Sequence, residues 1–204
     1  MYISGTPMLK GMVLFALVWY ALFASDQARS RRDELLSVVA FLAVALVVAR
    51  ILSAILPFRA RPMYDPTLAL QPVCGLDPQG LRGWSSFPSD HAVMYSMLAT
   101  GIWFASRRLG WIAIIHVAVF VLLPRVYLGL HWPTDILVGV ALGVSFAHLA
   151  RYLWLRTTIG RWGQALFVKM PGAFHAGLFV LSYLLTTHFD ELRNLVRAWR
   201  SDAG

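Results

Sequence analysis

The chain has 204 residues, of which 58% are hydrophobic and only 14% are charged, and its mean hydropathy is +0.63. Soluble domains are about 45–50% apolar and about 25% charged, so this composition indicates an integral membrane protein, organised as one domain over residues 1–204. The formal net charge of +8 does not indicate nucleic-acid binding, because the basic residues are scattered at the ends of apolar segments. The single cysteine, Cys74, excludes an intramolecular disulfide.

Six apolar segments follow one another along the chain, at residues 8–24, 35–57, 91–105, 109–123, 134–155 and 172–188. A perpendicular membrane-spanning helix needs about 20 residues, so the third and fourth segments must borrow flanking residues or begin below the membrane surface. We therefore predict an all-α integral membrane bundle of about six transmembrane helices. Residues 189–200 carry an apolar stripe opposite three arginines, which predicts a C-terminal amphipathic helix.

The placement of basic residues orients the predicted bundle. The loops after the first, third and fifth segments carry nine Lys and Arg residues, and the other side carries eight. The count alone is not decisive, but three of those eight lie in the C-terminal tail and others lie in loops with polar clusters. Assigning the short arginine-rich loops to the cytoplasm gives a multi-pass inner (cell) membrane protein whose polar loops face the periplasm or cell exterior.

The first polar cluster covers residues 83–91 and leads directly into an apolar run. Pro88 and Ser89 are typical of a helix start, with Ser89 as the N-cap. The unpaired N–H groups of such a first turn bind anions, and His91 would place an acid/base group beside the anion. On its own, this segment is equally consistent with an ordinary capped helix that carries an incidental histidine.

The second polar cluster covers residues 125–135, between the fourth and fifth segments. Pro133 fits the first turn of the fifth helix, which places Asp135 near that helix's start and within reach of His131. A carboxylate bonded to one imidazole nitrogen leaves the other nitrogen available as a nucleophile or base. Arg125 supplies donors suited to phosphate. The alternative is that Arg125 snorkels to the interface and His131 is merely interfacial, but charged groups at membrane depth are usually functional.

A third polar segment, residues 58–62, is predicted on the same side of the membrane as the other two. Together the three segments bring two histidines, one carboxylate and several anion donors to one face: Arg61, Ser89, His91, Arg125, His131 and Asp135. The set has no metal-ligand pattern, so we expect neither a metal nor another cofactor. This chemistry suits phosphoryl transfer through a phosphohistidine, in which one histidine attacks and the other protonates the leaving oxygen.

These residues resemble the type 2 phosphatidic acid phosphatases, which share a core with vanadium haloperoxidases. The family pattern is Lys-x6-Arg-Pro, Pro-Ser-Gly-His and Ser-Arg-x5-His-x3-Asp, and it resembles this chain over about residues 35–155. Its counterparts are Arg61-Pro62, then Pro88-Ser89-Asp90-His91, then Arg125, His131 and Asp135. The resemblance implies that His131 is the nucleophile, Asp135 orients it and His91 is the general acid. It also implies that Arg61, Ser89 and Arg125 hold the phosphoryl oxygens. A haloperoxidase is disfavoured, because a membrane-embedded site suits a lipid better than halide chemistry.

The chain departs from this pattern at three positions. Ala54 stands where the family has its lysine, Asp90 replaces the glycine, and Pro124 replaces the serine. Arg59 and Arg82 are the candidates to replace the missing cation, and Asp90 joins the predicted phosphate-binding residues as a group that tunes the site.

The form Phe-Pro-Ser-Asp-His resembles the branch of bacterial undecaprenyl-diphosphate phosphatases. This implies hydrolysis of undecaprenyl diphosphate to undecaprenyl phosphate and phosphate. The alternatives are phosphatidate, phosphatidylglycerophosphate or lipid A as the substrate, and a non-enzymatic membrane carrier or scaffold that keeps the anion site.

Overall fold

The computed structural model describes residues 11–23, 29–68, 81–156 and 158–186, and these ranges contain helices and no strand. The all-α prediction is confirmed for this part of the chain. The helices are α1 (Val13–Phe23), α2 (Arg29–Ile55), α3 (Asp90–Ala105), α4 (Arg107–His116), α5 (Leu123–Tyr127), α6 (Pro133–Arg156), α7 (Thr158–Lys169) and α8 (Pro171–Thr186). A π-helical segment, Val117–Leu122, joins α4 to α5, and two short 3-10 turns follow α2.

Three helices are long and apolar enough to cross a membrane: Arg31–Ile55, Arg107–Tyr127 and Pro133–Leu153. Two further apolar helices, α1 and α8, are shorter in the described part of the chain. The fourth predicted segment does borrow flanking residues, since the helix runs continuously from Arg107 to Tyr127. The membrane class is therefore supported, whereas the count of six spans is not established. The predicted amphipathic helix at 189–200 lies outside the described residues.

Helix α7 was not among the predicted segments. It lies between the fifth and sixth of them, in a stretch where Arg161, Gly163 and Gln164 interrupt the apolar residues. Such a sequence lacks the continuous apolar run that marks a span, and it forms a helix between two longer apolar ones instead.

Helix α3 is the centre of the bundle. It packs against α1, α2, α4 and α6, and five of its large side chains are fully buried: Met94, Tyr95, Met97, Leu98 and Ile102. A helix surrounded by other helices can be apolar on every side. With 16 residues, α3 is short for a span, but it lies inside the bundle. Its N-terminal end presents the first polar cluster to one end of the bundle.

Helix α6 approaches α3 closely because two glycines, Gly139 and Gly143, face it. A Cβ at Gly139 would lie 2.7 Å from the carbonyl oxygen of Ser89, and one at Gly143 would overlap Ser96 and the backbone of α3. Small residues four apart allow helix backbones in membranes to come together. The close packing brings the first turn of α6 beside the start of α3, where the Ser89 amide donates to the backbone oxygen of Asp135 at 3.3 Å.

Candidate active site

Three loops meet at one end of the bundle and hold one another through backbone hydrogen bonds. The amide of Ser86, before α3, donates to the carbonyl of Arg59, after α2, at 2.9 Å. The amide of Met63 donates to the carbonyl of Gly129, in the α5–α6 loop, also at 2.9 Å. Gly129 has a φ of 64°, a left-handed conformation that glycine adopts without steric cost. The predicted convergence of the three polar segments is therefore present in the structure.

His131 lies in this α5–α6 loop with its side chain almost fully buried. Its Nδ1 is 2.8 Å from the backbone oxygen of Ser86, and its Nε2 is 3.3 Å from Nη1 of Arg61. The nearer carboxylate oxygen of Asp135 is 3.8 Å from Nδ1. A carbonyl oxygen only accepts, so the contact with Ser86 requires the hydrogen on Nδ1 and leaves the Nε2 lone pair directed toward Arg61.

Asp135 is completely buried and braces the loop as well as the histidine. Its Oδ2 accepts from the backbone amide of Trp132 at 2.9 Å, and its Oδ1 accepts from Nη1 of Arg59 at 2.8 Å. The Arg59 guanidinium also donates to Thr134 at 2.8 Å and lies over the Trp132 ring at 5.4 Å. Arg59, one of the two candidates to replace the missing cation, is thus engaged in holding the start of α6.

The pKa of His131 lies below the ordinary histidine value. Burial is the largest cause, since it disfavours the imidazolium, and the positive charges of Arg61 and Arg125 lower the pKa further. The nearby carboxylate of Asp135 and the charge of Asp90 act in the opposite direction. The net lowering keeps His131 neutral near pH 7, and a neutral imidazole is the form that can act as a nucleophile.

Two buried arginines accompany His131. Arg61 donates from Nη1 to the backbone oxygen of Leu130 at 2.8 Å, while its buried Nε has no hydrogen-bond partner in the part of the chain that the structure describes. Arg125 is buried in α5, and its backbone oxygen accepts from the amide of His131 at 3.2 Å. The buried Nε–H of Arg61 and the positive charges of the two arginines are suited to binding a phosphoryl oxygen.

The start of α3 forms as the sequence predicts. Ser89 is the N-cap, and its side-chain oxygen accepts from the amide of Ala92 at 3.4 Å. In the first turn, Oδ1 of Asp90 accepts from the backbone amide of His91 at 2.9 Å and lies 3.1 Å from Nδ1 of the same residue. The carboxylate of Asp90 therefore holds the imidazole of His91 on the side of Nδ1.

Arg50 joins the site from α2, although it was not among the predicted site residues. Its Nη2 lies 2.5 Å from Oδ2 of Asp90, and its guanidinium lies over the Trp84 ring at 5.0 Å. The signal in the sequence was an arginine inside an apolar span, which is costly unless it has a partner. Ser86 gave no such signal, because it contacts His131 through its backbone oxygen.

Arg82, the second candidate for the missing cation, lies over the Tyr64 ring at 5.7 Å. No three His, Cys, Asp or Glu side chains come together as a metal-binding group within the described ranges. The structure thus brings the seven predicted site residues to one end of the bundle and adds Ser86, Arg50 and Arg59 to them.

The chain is similar in sequence to one known family and to several curated proteins. A sequence model of the PAP2 superfamily matches residues 34–159. The undecaprenyl-diphosphatase of Sulfolobus acidocaldarius is 33% identical over 122 residues, which cover 58% of this chain and 54% of that protein. Undecaprenyl-diphosphatase BcrC of Bacillus subtilis is 25% identical over 138 residues, covering 68% and 66% of the two chains.

Phosphatidylglycerophosphatase B of Escherichia coli is 38% identical over 92 residues, covering 40% of this chain and 35% of that protein. The chain spans about half the length of the first curated relatives that it matches. No solved structure matches it.

Proposed function

Since this chain belongs to the PAP2 superfamily, we propose that it is a membrane phosphatase that hydrolyses a lipid phosphate or diphosphate through a phosphohistidine. The observation that carries this proposal is the geometry of His131. Its Nδ1 is held by a backbone oxygen, and its Nε2 faces a buried arginine donor. A neutral nitrogen beside phosphate-binding cations is the arrangement that nucleophilic attack on phosphorus requires.

In the first step, Nε2 of His131 attacks the terminal phosphorus as the bond from phosphorus to the leaving oxygen breaks. Arg61, Arg125 and the first turn of α3 at Ser89 stabilise the charge on the phosphoryl oxygens. His91 donates a proton to the leaving oxygen, and its contact with Asp90 through Nδ1 leaves Nε2 to carry that proton. The imidazolium that forms at His131 is stabilised by the nearby carboxylate of Asp135.

In the second step, water attacks the phosphohistidine. His91, now deprotonated, accepts a proton from that water, and the bond between phosphorus and His131 breaks to release inorganic phosphate. Every proton and electron pair is accounted for by the two histidines and water. No metal ion or other cofactor takes part in this scheme.

The substrate that we propose is undecaprenyl diphosphate, which is converted to undecaprenyl phosphate. This proposal rests on the Phe-Pro-Ser-Asp-His form and on two relatives whose names give that activity. The apolar tail of the substrate would stay in the bilayer between helices while the headgroup enters the site. Phosphatidate, phosphatidylglycerophosphate and lipid A phosphates are the competing substrates, and a relative named phosphatidylglycerophosphatase B supports keeping them open.

We further propose that the whole chain acts as one membrane domain in the inner (cell) membrane, with the site facing the periplasm or cell exterior. The long apolar helices support the membrane assignment. Arg107 and Arg108, at the start of α4, lie at the opposite end of α3 from the candidate site, which supports the orientation.

The experiment that tests the function is phosphate release by the purified protein in EDTA, with undecaprenyl diphosphate, phosphatidate, phosphatidylglycerophosphate and lipid A as substrates. We expect the largest kcat/KM with undecaprenyl diphosphate and no release by folded His131→Ala. Absence of release from all four lipids by the wild-type protein would favour the non-enzymatic carrier.

A further inference from the structure

The pair formed by Arg50 and Asp90 lies beside His91. The two side chains come from different helices, α2 and α3, and Asp90 contacts both the guanidinium of Arg50 and the imidazole of His91. The Arg50 side chain keeps 44% of its surface exposed, whereas that of Asp90 keeps 15%. Arg50 therefore has one donor engaged by a carboxylate, while a substantial part of its side chain is exposed.

The position of Arg50 along α2 gives its depth relative to the site. The helix ends at Ile55, near the loops that carry the candidate site, and Arg50 lies five residues before that end. At 1.5 Å per residue, its backbone is about 7.5 Å deeper in the bundle than the end of the helix. A cation at this depth is on the side from which a lipid tail would extend.

We propose that Arg50, oriented by Asp90, binds the phosphate that remains attached to the lipid when a diphosphate is cleaved. This inference rests on the proposed function and assigns Arg50 as a specificity residue that favours diphosphates over monophosphates. When a monophosphate is cleaved, the leaving group is the lipid alcohol, which offers no second phosphate to this guanidinium. When a diphosphate is cleaved, the leaving group is the lipid monophosphate, and the negative charge of that leaving group develops beside Arg50.

The pairing also explains how a carboxylate is tolerated next to an anionic substrate. An isolated Asp90 would repel the phosphoryl group. The ion pair of Arg50 and Asp90 has no net charge, and Asp90 fixes the guanidinium in one orientation. Arginine has five N–H donors, so the bond to Asp90 leaves others for phosphate oxygens. The Trp84 ring, whose centroid is 5.0 Å from Cζ of Arg50, further restricts the orientation of the guanidinium.

The reaction step follows from this placement. The bridging oxygen leaves phosphorus with its electron pair as His131 attacks, and His91 supplies the proton that the oxygen receives. Asp90 contacts both His91 and Arg50. The same carboxylate therefore positions the proton donor and the cation that receives the leaving phosphate. Arg50 would thus stabilise the transition state for diphosphates and contribute little for monophosphates.

The test compares farnesyl diphosphate with farnesyl monophosphate, which share one tail and differ by one phosphate. We expect Arg50→Gln to lower the ratio of kcat/KM for the two substrates, diphosphate over monophosphate, by about 10- to 100-fold, since a charge-assisted hydrogen bond is lost in one reaction only. Arg50→Lys keeps the charge but not the planar fork, so it should lie between wild type and Arg50→Gln. Its ratio also provides the test if Arg50→Gln does not fold.

Arg151→Gln is the matched control, because it removes a guanidinium of similar exposure that pairs with a carboxylate, Glu34, and lies over an aromatic ring, Phe104, away from the candidate site. It should leave the ratio unchanged. Asp90→Asn alone should lower the ratio. Added to Arg50→Gln, it should lower the ratio no further, because Asp90 affects the ratio through Arg50.

An unchanged ratio in Arg50→Gln, or an equal fall in Arg151→Gln, would overturn the assignment. Equal losses on both substrates would show that Arg50 only braces Asp90. These outcomes differ from failure of the proposed function, in which the wild-type protein would hydrolyse neither substrate.

Discussion

Nδ1 of His131 lies 1.0 Å closer to the backbone oxygen of Ser86, at 2.8 Å, than to the carboxylate of Asp135, at 3.8 Å. A backbone oxygen carries no formal charge that would stabilise the imidazolium, but like a carboxylate it sets the tautomer. Two tasks that one acidic residue can perform together are therefore divided: Ser86 sets the tautomer, and Asp135 supplies charge and holds the loop.

This division predicts a moderate effect of Asp135→Asn. A carboxylate that alone sets the tautomer of a catalytic histidine is worth about 10⁴ in rate. Here the tautomer is kept by Ser86, so we expect kcat to fall by roughly 10- to 100-fold, the loss coming from weaker stabilisation of the imidazolium. Single-turnover kinetics would measure it, with Arg59→Gln as the comparison that loosens Asp135 without removing its charge. A loss as large as that of His131→Ala would contradict the division.

The lowered pKa of His131 predicts how activity responds to acid. The nucleophile must be neutral, so the acid limb of the kcat/KM profile falls where His131 becomes protonated. Burial is the main cause of the lowering, and the charge of Arg61 adds to it. Removing that charge in Arg61→Gln should raise the pKa and move the acid limb to higher pH. Substrate ionisation is common to both proteins, so the difference between their profiles reports the enzyme; an unmoved limb would contradict the assignment.

The same shift has a consequence for folding. Between the lowered pKa of native His131 and the ordinary value of about 6.5, the unfolded chain binds more protons than the native protein. The contribution of His131 to the free energy of unfolding should therefore rise with pH across that window. Comparing the pH dependence of thermal unfolding in wild type and His131→Ala measures it. Parallel curves would show that the histidine is not buried in its neutral form.

The close approach of α6 to α3 predicts the effect of a larger side chain at Gly143. An added Cβ there overlaps Ser96 and the backbone of α3, so Gly143→Leu must separate the two helices. We expect at least about 1–3 kcal/mol of destabilisation and a loss of activity, because Asp135 and Ser89 lie at the ends of the two helices. Gly177→Leu in α8 is the control, since a Cβ there meets nothing within 4 Å. Equal unfolding temperatures for the two variants would contradict this packing account.

The proposed orientation predicts which positions are accessible from outside the cell. In a Cys74→Ser background, a cysteine at Gly83 should react with an impermeant reagent in intact cells. A cysteine at Ser106, at the other end of α3, should react only after permeabilisation. The reverse pattern would place the site on the cytoplasmic face.

Much of the fold and the site was predictable from the sequence, because long apolar runs and helix-start residues act locally. The start of α3 at Asp90 with Ser89 as its cap, and the start of α6 at Pro133, follow from such signals. The convergence of three polar segments followed from their shared side of the membrane. Helix α7 was missed, because its apolar residues are interrupted.

Other contacts depended on packing between distant segments. The Ser86 oxygen acts through the backbone, so its side chain carried no signal, and only the approach of two loops brings it to His131. Arg50 stood out as a charge in an apolar span, but its partner on α3 is 40 residues away in sequence. From the sequence, Arg59 and Arg82 were the candidates to replace the missing cation. The structure instead shows Arg50 beside Asp90, the residue that replaces the glycine of the family pattern.

The most direct test of the central claim is the trapping of a phosphoenzyme. Wild-type protein should be mixed for milliseconds with undecaprenyl diphosphate labelled with ³²P in its terminal phosphate, quenched in alkali and analysed for protein-bound label in EDTA. We predict an acid-labile, alkali-stable phosphohistidine that maps to His131, is absent from His131→Ala and disappears as inorganic phosphate is released. Label bound equally to folded His131→Ala, or steady phosphate release from wild type with no bound label, would contradict catalysis through His131.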